Sequence, residues 1–113
     1  ERARSRLAEH RAAVAAREAA AARRDALRAA AAADLERNIG PAARARDLPR
    51  VLKFLKIPVP PAPGGRRAGP DELRAAMRKA KVWYHPDRFV GHPEARRVEA
   101  EEISKVLNSW GAI

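Results

Sequence analysis

The hydrophobic positions change character along the chain. From Leu48 onward the larger aliphatic side chains recur at helical spacing. Leu48, Val51, Leu52 and Leu55 fall at i, i+3, i+4 and i+7, which predicts one apolar stripe on a short helix. Leu73, Met77, Ala80 and Tyr84 form a second stripe, and Val98, Ile103, Val106, Leu107 and Trp110 a third. Glu99, Glu101 and Glu102 are read as lying outside the third stripe. No segment alternates as a strand would. The expected class is all-α: two packed antiparallel helices with a shorter helix across them, preceded by a long Ala/Arg-rich helix.

The first 40 residues follow a different pattern. Of the first 34, 16 are Ala, and Leu7, Val14 and Leu27 are the only larger aliphatics among them. Ala and Arg are strong helix formers, so residues 1–39 are predicted as one helix of roughly 55 Å. Asn38-Ile39-Gly40-Pro41 is the expected stop, with Gly as left-handed cap and Pro unable to continue. Leu7, Val14, Ala21 and Leu35 share a seven-residue spacing, but Arg28 breaks it, leaving a poor coiled-coil seam. The favoured reading is a solvated spacer, ahead of a helix docked on a larger partner. Nucleic-acid binding ranks last, because six acids interrupt the basic charge of this segment. Residues 41–46 are read as a linker and 47–113 as the folded domain, with a core of about 65 residues, near the lower limit for an unaided core.

Punctuation supports these elements. Asp47 suits an N-cap, with Pro49 tolerated in the first turn of a helix reaching Ile57. Pro58 to Gly65 carries too much Pro and Gly for regular helix, and Arg66 and Arg67 extend that loop. Gly69-Pro70-Asp71-Glu72 suits a helix start. Pro86 stops that helix, because the residue before Pro disfavours helical geometry. His85 to His92 is read as a loop, and Pro93-Glu94 as the start of the last helix.

Charge sharpens the picture. The 113 residues carry a net charge of +10, with +3 on residues 1–40 and +7 on residues 41–113. Such a field can steer an acidic protein, a nucleic acid or an anionic membrane. The absence of Cys excludes disulfides, zinc fingers and thiol chemistry. No apolar run approaches the roughly 20 residues of a membrane span. The chain opens on Glu1 rather than Met and is expected to be a fragment or processed form. Its compartment is left open, a reducing, cytoplasmic one being the expectation.

The candidate chemistry gathers around His85-Pro86-Asp87. Arg74, Arg78 and Lys81 recur at i, i+4 and i+7 on the preceding helix, beside its apolar stripe. His85, Asp87 and His92 do not match a zinc-ligand pattern, and no nucleophile arrangement accompanies His and Asp. Trp83 is read as packing beneath the long Pro-rich loop, ahead of a partner contact.

Three stretches together resemble the J-domain, the co-chaperone module that activates DnaK-type chaperones of the heat shock protein 70 class. Asp47-Leu-Pro-Arg-Val-Leu-Lys-Phe-Leu-Lys-Ile57 looks like its first helix. Arg78-Lys-Ala-Lys-Val-Trp-Tyr-His-Pro-Asp-Arg88 looks like its second helix and loop, with Arg88 for the usual Lys. Leu107-Asn108 with Trp110 is most similar to the auxilin-type subgroup. The resemblance spans roughly Asp47 to Trp110. Departures are the longer first loop, Trp83 at a usually polar position, Ser104 at a usually aromatic one, and Trp110 one residue nearer Asn108.

The resemblance implies a binding module, not an enzyme, with no cofactor and no metal. Arg74, Arg78, Lys79 and Lys81 would dock electrostatically on the ATP-bound chaperone, with Arg88 beside them. Asp87 would pair with a chaperone arginine and trigger ATP hydrolysis, while His85 and Pro86 shape the loop. The alternative is a structural or docking subunit of a larger assembly that keeps the fold.

Overall fold

A computed structural model describes residues 2–110. It contains four α-helices, α1 (Arg2–Arg44), α2 (Leu48–Phe54), α3 (Pro70–Trp83) and α4 (Glu94–Asn108), with a 3-10 turn at Pro86–Phe89. Among the described residues there is no strand beyond an isolated bridge between Ala62 and Arg66. That bridge folds the Pro-rich loop back on itself around Gly64 and Gly65, both at positive φ. The all-α class is as expected.

The first helix does not stop at Gly40-Pro41. It runs through Pro41 to Arg44 and absorbs most of the expected 41–46 linker. Pro41 lacks an N–H, so the carbonyl of Arg37 loses its helical donor. Both residues are exposed, so water can replace that bond. The stop comes at Arg46, at φ 58. The Arg46 N–H donates to the Ala43 carbonyl at 3.1 Å and the Asp47 N–H to that of Ala42 at 2.8 Å. This paired bonding satisfies two orphan carbonyls at once. The same device ends α2 at Phe54, short of the expected Ile57, with Lys56 at φ 59 and the Ile57 N–H on the Leu52 carbonyl at 3.0 Å. Both turns set a long basic residue where Gly is the usual choice, so Gly40 was a misleading cue.

The second half of α1 is not a free spacer but part of the domain. Leu35, Ile39 and Ala42 are buried in one core with Leu48, Val51, Leu52, Leu55, Ile57, Ala76, Met77, Ala80, Ile103 and Leu107. The core therefore begins twelve residues before the expected boundary at Asp47. Full burial of a side chain such as Ile39 contributes about 1.5–3 kcal/mol.

Ion pairs mark the register of α1 on α4. Arg23 and Arg24 reach Glu94 at 3.3 and 3.5 Å, and Arg28 reaches Glu101 at 3.4 Å and Glu102 at 3.6 Å. Residue numbers rise together on both helices, so α1 and α4 run parallel. Glu102, expected outside the apolar stripe, is buried and bonded also to Lys105 at 2.9 Å. Arg28, the residue that spoils the heptad pattern, is its partner across the interface.

At about 1.5 Å per residue α1 is about 65 Å long, and the molecule measures 79 × 24 × 22 Å. Residues 2–22 project beyond the packed body, with all their Arg side chains exposed.

Candidate protein-interaction site

The His85-Pro86-Asp87 loop sits at the turn between α3 and α4, held by contacts on three sides. Asp71 and Glu72 favour the N-terminal end of α3, and the Glu72 carboxylate accepts from the Gly69 N–H at 3.0 Å. At the far end, the Tyr84 hydroxyl donates to the Leu55 carbonyl at 3.0 Å, tying the exit of α3 to the end of α2. Burial pushes the Tyr84 phenol above its usual pKa, Glu99 adds to the shift and Arg96 opposes it. The phenol therefore remains a neutral donor near neutral pH.

Beyond Tyr84 the loop is short and braced. Phe89 stacks on Tyr84 with ring centroids 6.5 Å apart, and His92 packs on Phe89 at 5.1 Å. His85 is the cap of the 3-10 turn, and its Nδ1 accepts from the Asp87 N–H at 3.2 Å. The Arg88 N–H donates to the His85 carbonyl at 3.0 Å, and Pro86 fixes one backbone angle. The turn leaves the Asp87 side chain 90% exposed. Its one ion-pair contact among the described residues is with the His85 ring, 3.7 Å away, which carries charge only when protonated. It is an exposed carboxylate on a braced backbone, well suited to a partner cation.

The cations do not all share one face. Arg74, Arg78 and Lys81 form a row along α3, with Arg74 paired to Asp71 at 2.5 Å. Lys79 lies about 130° round the helix from that row. Its ammonium stands over the Trp83 ring, 5.3 Å from the centroid. Trp83 is 40% exposed and does not pack beneath the Pro-rich loop. Of that loop, Val59 packs against the core instead, as Leu73 of α3 does.

Trp83 borders a shallow hollow of about 320 Å³, lined also by Tyr84, Arg88, Phe89, His92 and Arg96. Arg96 had no distinguishing signal in the sequence. It joins the loop because it lies in the first turn of α4, which begins where the loop ends. Val82 and Val90 are exposed nearby, at 60% and 78%. The loop is thus flanked by a cationic row on one side and by an aromatic and cationic hollow on the other. Among the described residues no group of three or more His, Cys, Asp or Glu is placed to hold a metal ion, and no helix is long and apolar enough to cross a membrane.

Comparison with known proteins returned no match: no family model, no curated protein and no solved structure corresponds to this chain.

Proposed function

We propose that residues from Asp47 onward act as a J-domain that binds a DnaK-type chaperone and stimulates its ATP hydrolysis. The observation that carries this reading is the presentation of Asp87. Its carboxylate is exposed at the tip of a helical hairpin, on a backbone fixed by the His85 ring and Pro86. Pre-ordering reduces the entropy lost on docking. In this reading Arg74, Arg78 and Lys81 steer the hairpin to an acidic groove of the chaperone. Arg88 and Lys79 border the loop on the Trp83 side. Asp87 pairs with a chaperone arginine that becomes available only in the hydrolysis-competent conformation.

The chain forms and breaks no bond in this mechanism. It shifts the partner's equilibrium by binding one conformation better than the other, and the size of the shift equals that difference in affinity. Binding of the chain to a DnaK-type chaperone should therefore be tighter in the ATP state than in the ADP state. Fluorescence anisotropy with each nucleotide tests this, and equal affinity in the two states would remove the basis for activation.

A second reading is a docking subunit of a larger assembly, and the projecting half of α1 favours it. Under that reading a panel of DnaK-type chaperones would show no ATPase stimulation by the chain.

A further inference from the structure

The register of α1 on α4 places the projecting arm at the loop end of the molecule. Arg23 and Arg24 lie level with Glu94, the first residue of α4, and the His85-Pro86-Asp87 loop immediately precedes that helix. Because α1 and α4 run parallel, residues 2–22 extend past this same end, over about 30 Å of helix.

The face of α1 that docks on α4 continues along the arm. Arg28 marks that face by its pairs with Glu101 and Glu102. Residues about three turns apart lie nearly in line on a helix, which puts Arg17 and Arg6 in the same row, with His10 between them. Leu7 and Val14 lie beside the row, on the same side as Glu18. Glu9 and Glu18 lie about a quarter-turn to either side of it. Over α4 the arginines of this stripe are taken up by carboxylates. Beyond α4, Arg6 makes no ion pair among the described residues and Arg17 is held only by the Ala13 carbonyl. Leu7 is half exposed.

We infer that this row is a second contact surface for the partner that seats on the His85-Pro86-Asp87 loop, and that it takes an acidic face with apolar residues among its carboxylates. The inference rests on the chaperone reading above. The chemistry asked of the partner is what α4 already offers to Arg23, Arg24 and Arg28. A body seated on the loop end lies alongside the arm, and α1 is anchored in the core by Leu35, Ile39 and Ala42, so the arm is presented in a fixed direction.

Two charge-reversal variants of the full chain separate this from the general field of a basic protein. Arg6→Glu with Arg17→Glu alters the row. Arg4→Glu with Arg11→Glu makes the same change of charge a third of a turn or more from Arg6 and Arg17. In titrations of chaperone ATPase, the first pair should raise the half-saturating concentration about tenfold and leave the maximal stimulation unchanged. The second pair should raise it less than about threefold. Equal shifts from both pairs, or none from the first, would overturn the inference while leaving the chaperone reading intact. A wild-type chain that stimulates no chaperone would overturn both. Sedimentation showing a dimer that only the first pair dissolves would assign the row to a second copy and equally overturn it.

Discussion

Tyr84 and Leu55 are joined by a 3.0 Å hydrogen bond from the phenol of one to the carbonyl of the other. The bond links the last turn of α2 to the residue before His85, so it fixes the loop to the core. Tyr84→Phe should cost about 1–2 kcal/mol, since the carbonyl loses a partly buried donor. Urea denaturation of the two proteins measures it. The pH dependence has a definite sign. The folded pKa is raised above the unfolded value of about 10, so the native state retains the proton longer. The stabilisation is full below pH 10 and is lost as pH rises through the folded value. The stability difference between wild type and Tyr84→Phe should therefore shrink above about pH 10.

Docking of α1 on α4 divides the long helix into two parts of unequal stability. Amides from about residue 27 to 44 should exchange with the protection of the domain, while those of residues 2–22 should exchange as a frayed helix does. Native-state hydrogen exchange reads this directly. Ile39→Ala should cost about 2–5 kcal/mol, whereas Leu7→Ala should stay within about 0.5 kcal/mol.

Arg28 and Glu102 should be energetically coupled across that interface. Glu102 is nearly buried, but Arg28 is about a third exposed, at 37%, which limits the coupling. A double-mutant cycle with Arg28→Ala and Glu102→Gln should give about 0.5–1 kcal/mol, falling with added salt. Additivity of the two single changes would mean that this pair adds nothing to the docking of α1.

Lys56 occupies the left-handed conformation at the end of α2, is exposed, and makes no side-chain hydrogen bond or ion pair among the described residues. That conformation disfavours residues with a Cβ. Lys56→Gly should therefore raise the stability by up to about 1 kcal/mol in urea denaturation, despite the added freedom of Gly in the unfolded chain.

Much of this architecture was legible from spacing. The stripe of Leu48, Val51, Leu52 and Leu55, the Asp47 cap and the apolar face from Leu73 to Tyr84 are local patterns, and each lies where its periodicity placed it. What escaped the sequence was long-range. Leu35 and Ile39 stand in an Ala-rich run with no visible counterpart, and their counterpart is α4, more than sixty residues later. Glu102 reads as solvent-facing until Arg28 is brought beside it. Trp83 and Lys79 depart from expectation because helix faces are separated by small rotations. One residue of offset moves a side chain by about 100°, which puts Lys79 off the Arg74 row and onto the tryptophan. The loop was the most legible part as a motif, yet the bond from the Asp87 N–H to His85 Nδ1 that orders it appears only in three dimensions.

The central claim is that the exposed Asp87 carboxylate activates a chaperone, and single-turnover ATP hydrolysis by a DnaK-type chaperone tests it most directly. The wild-type chain should accelerate hydrolysis, whereas Asp87→Asn, which keeps the shape of the side chain and removes its charge, should abolish the stimulation with unchanged helicity and melting temperature. Equal stimulation by wild type and Asp87→Asn would contradict the account.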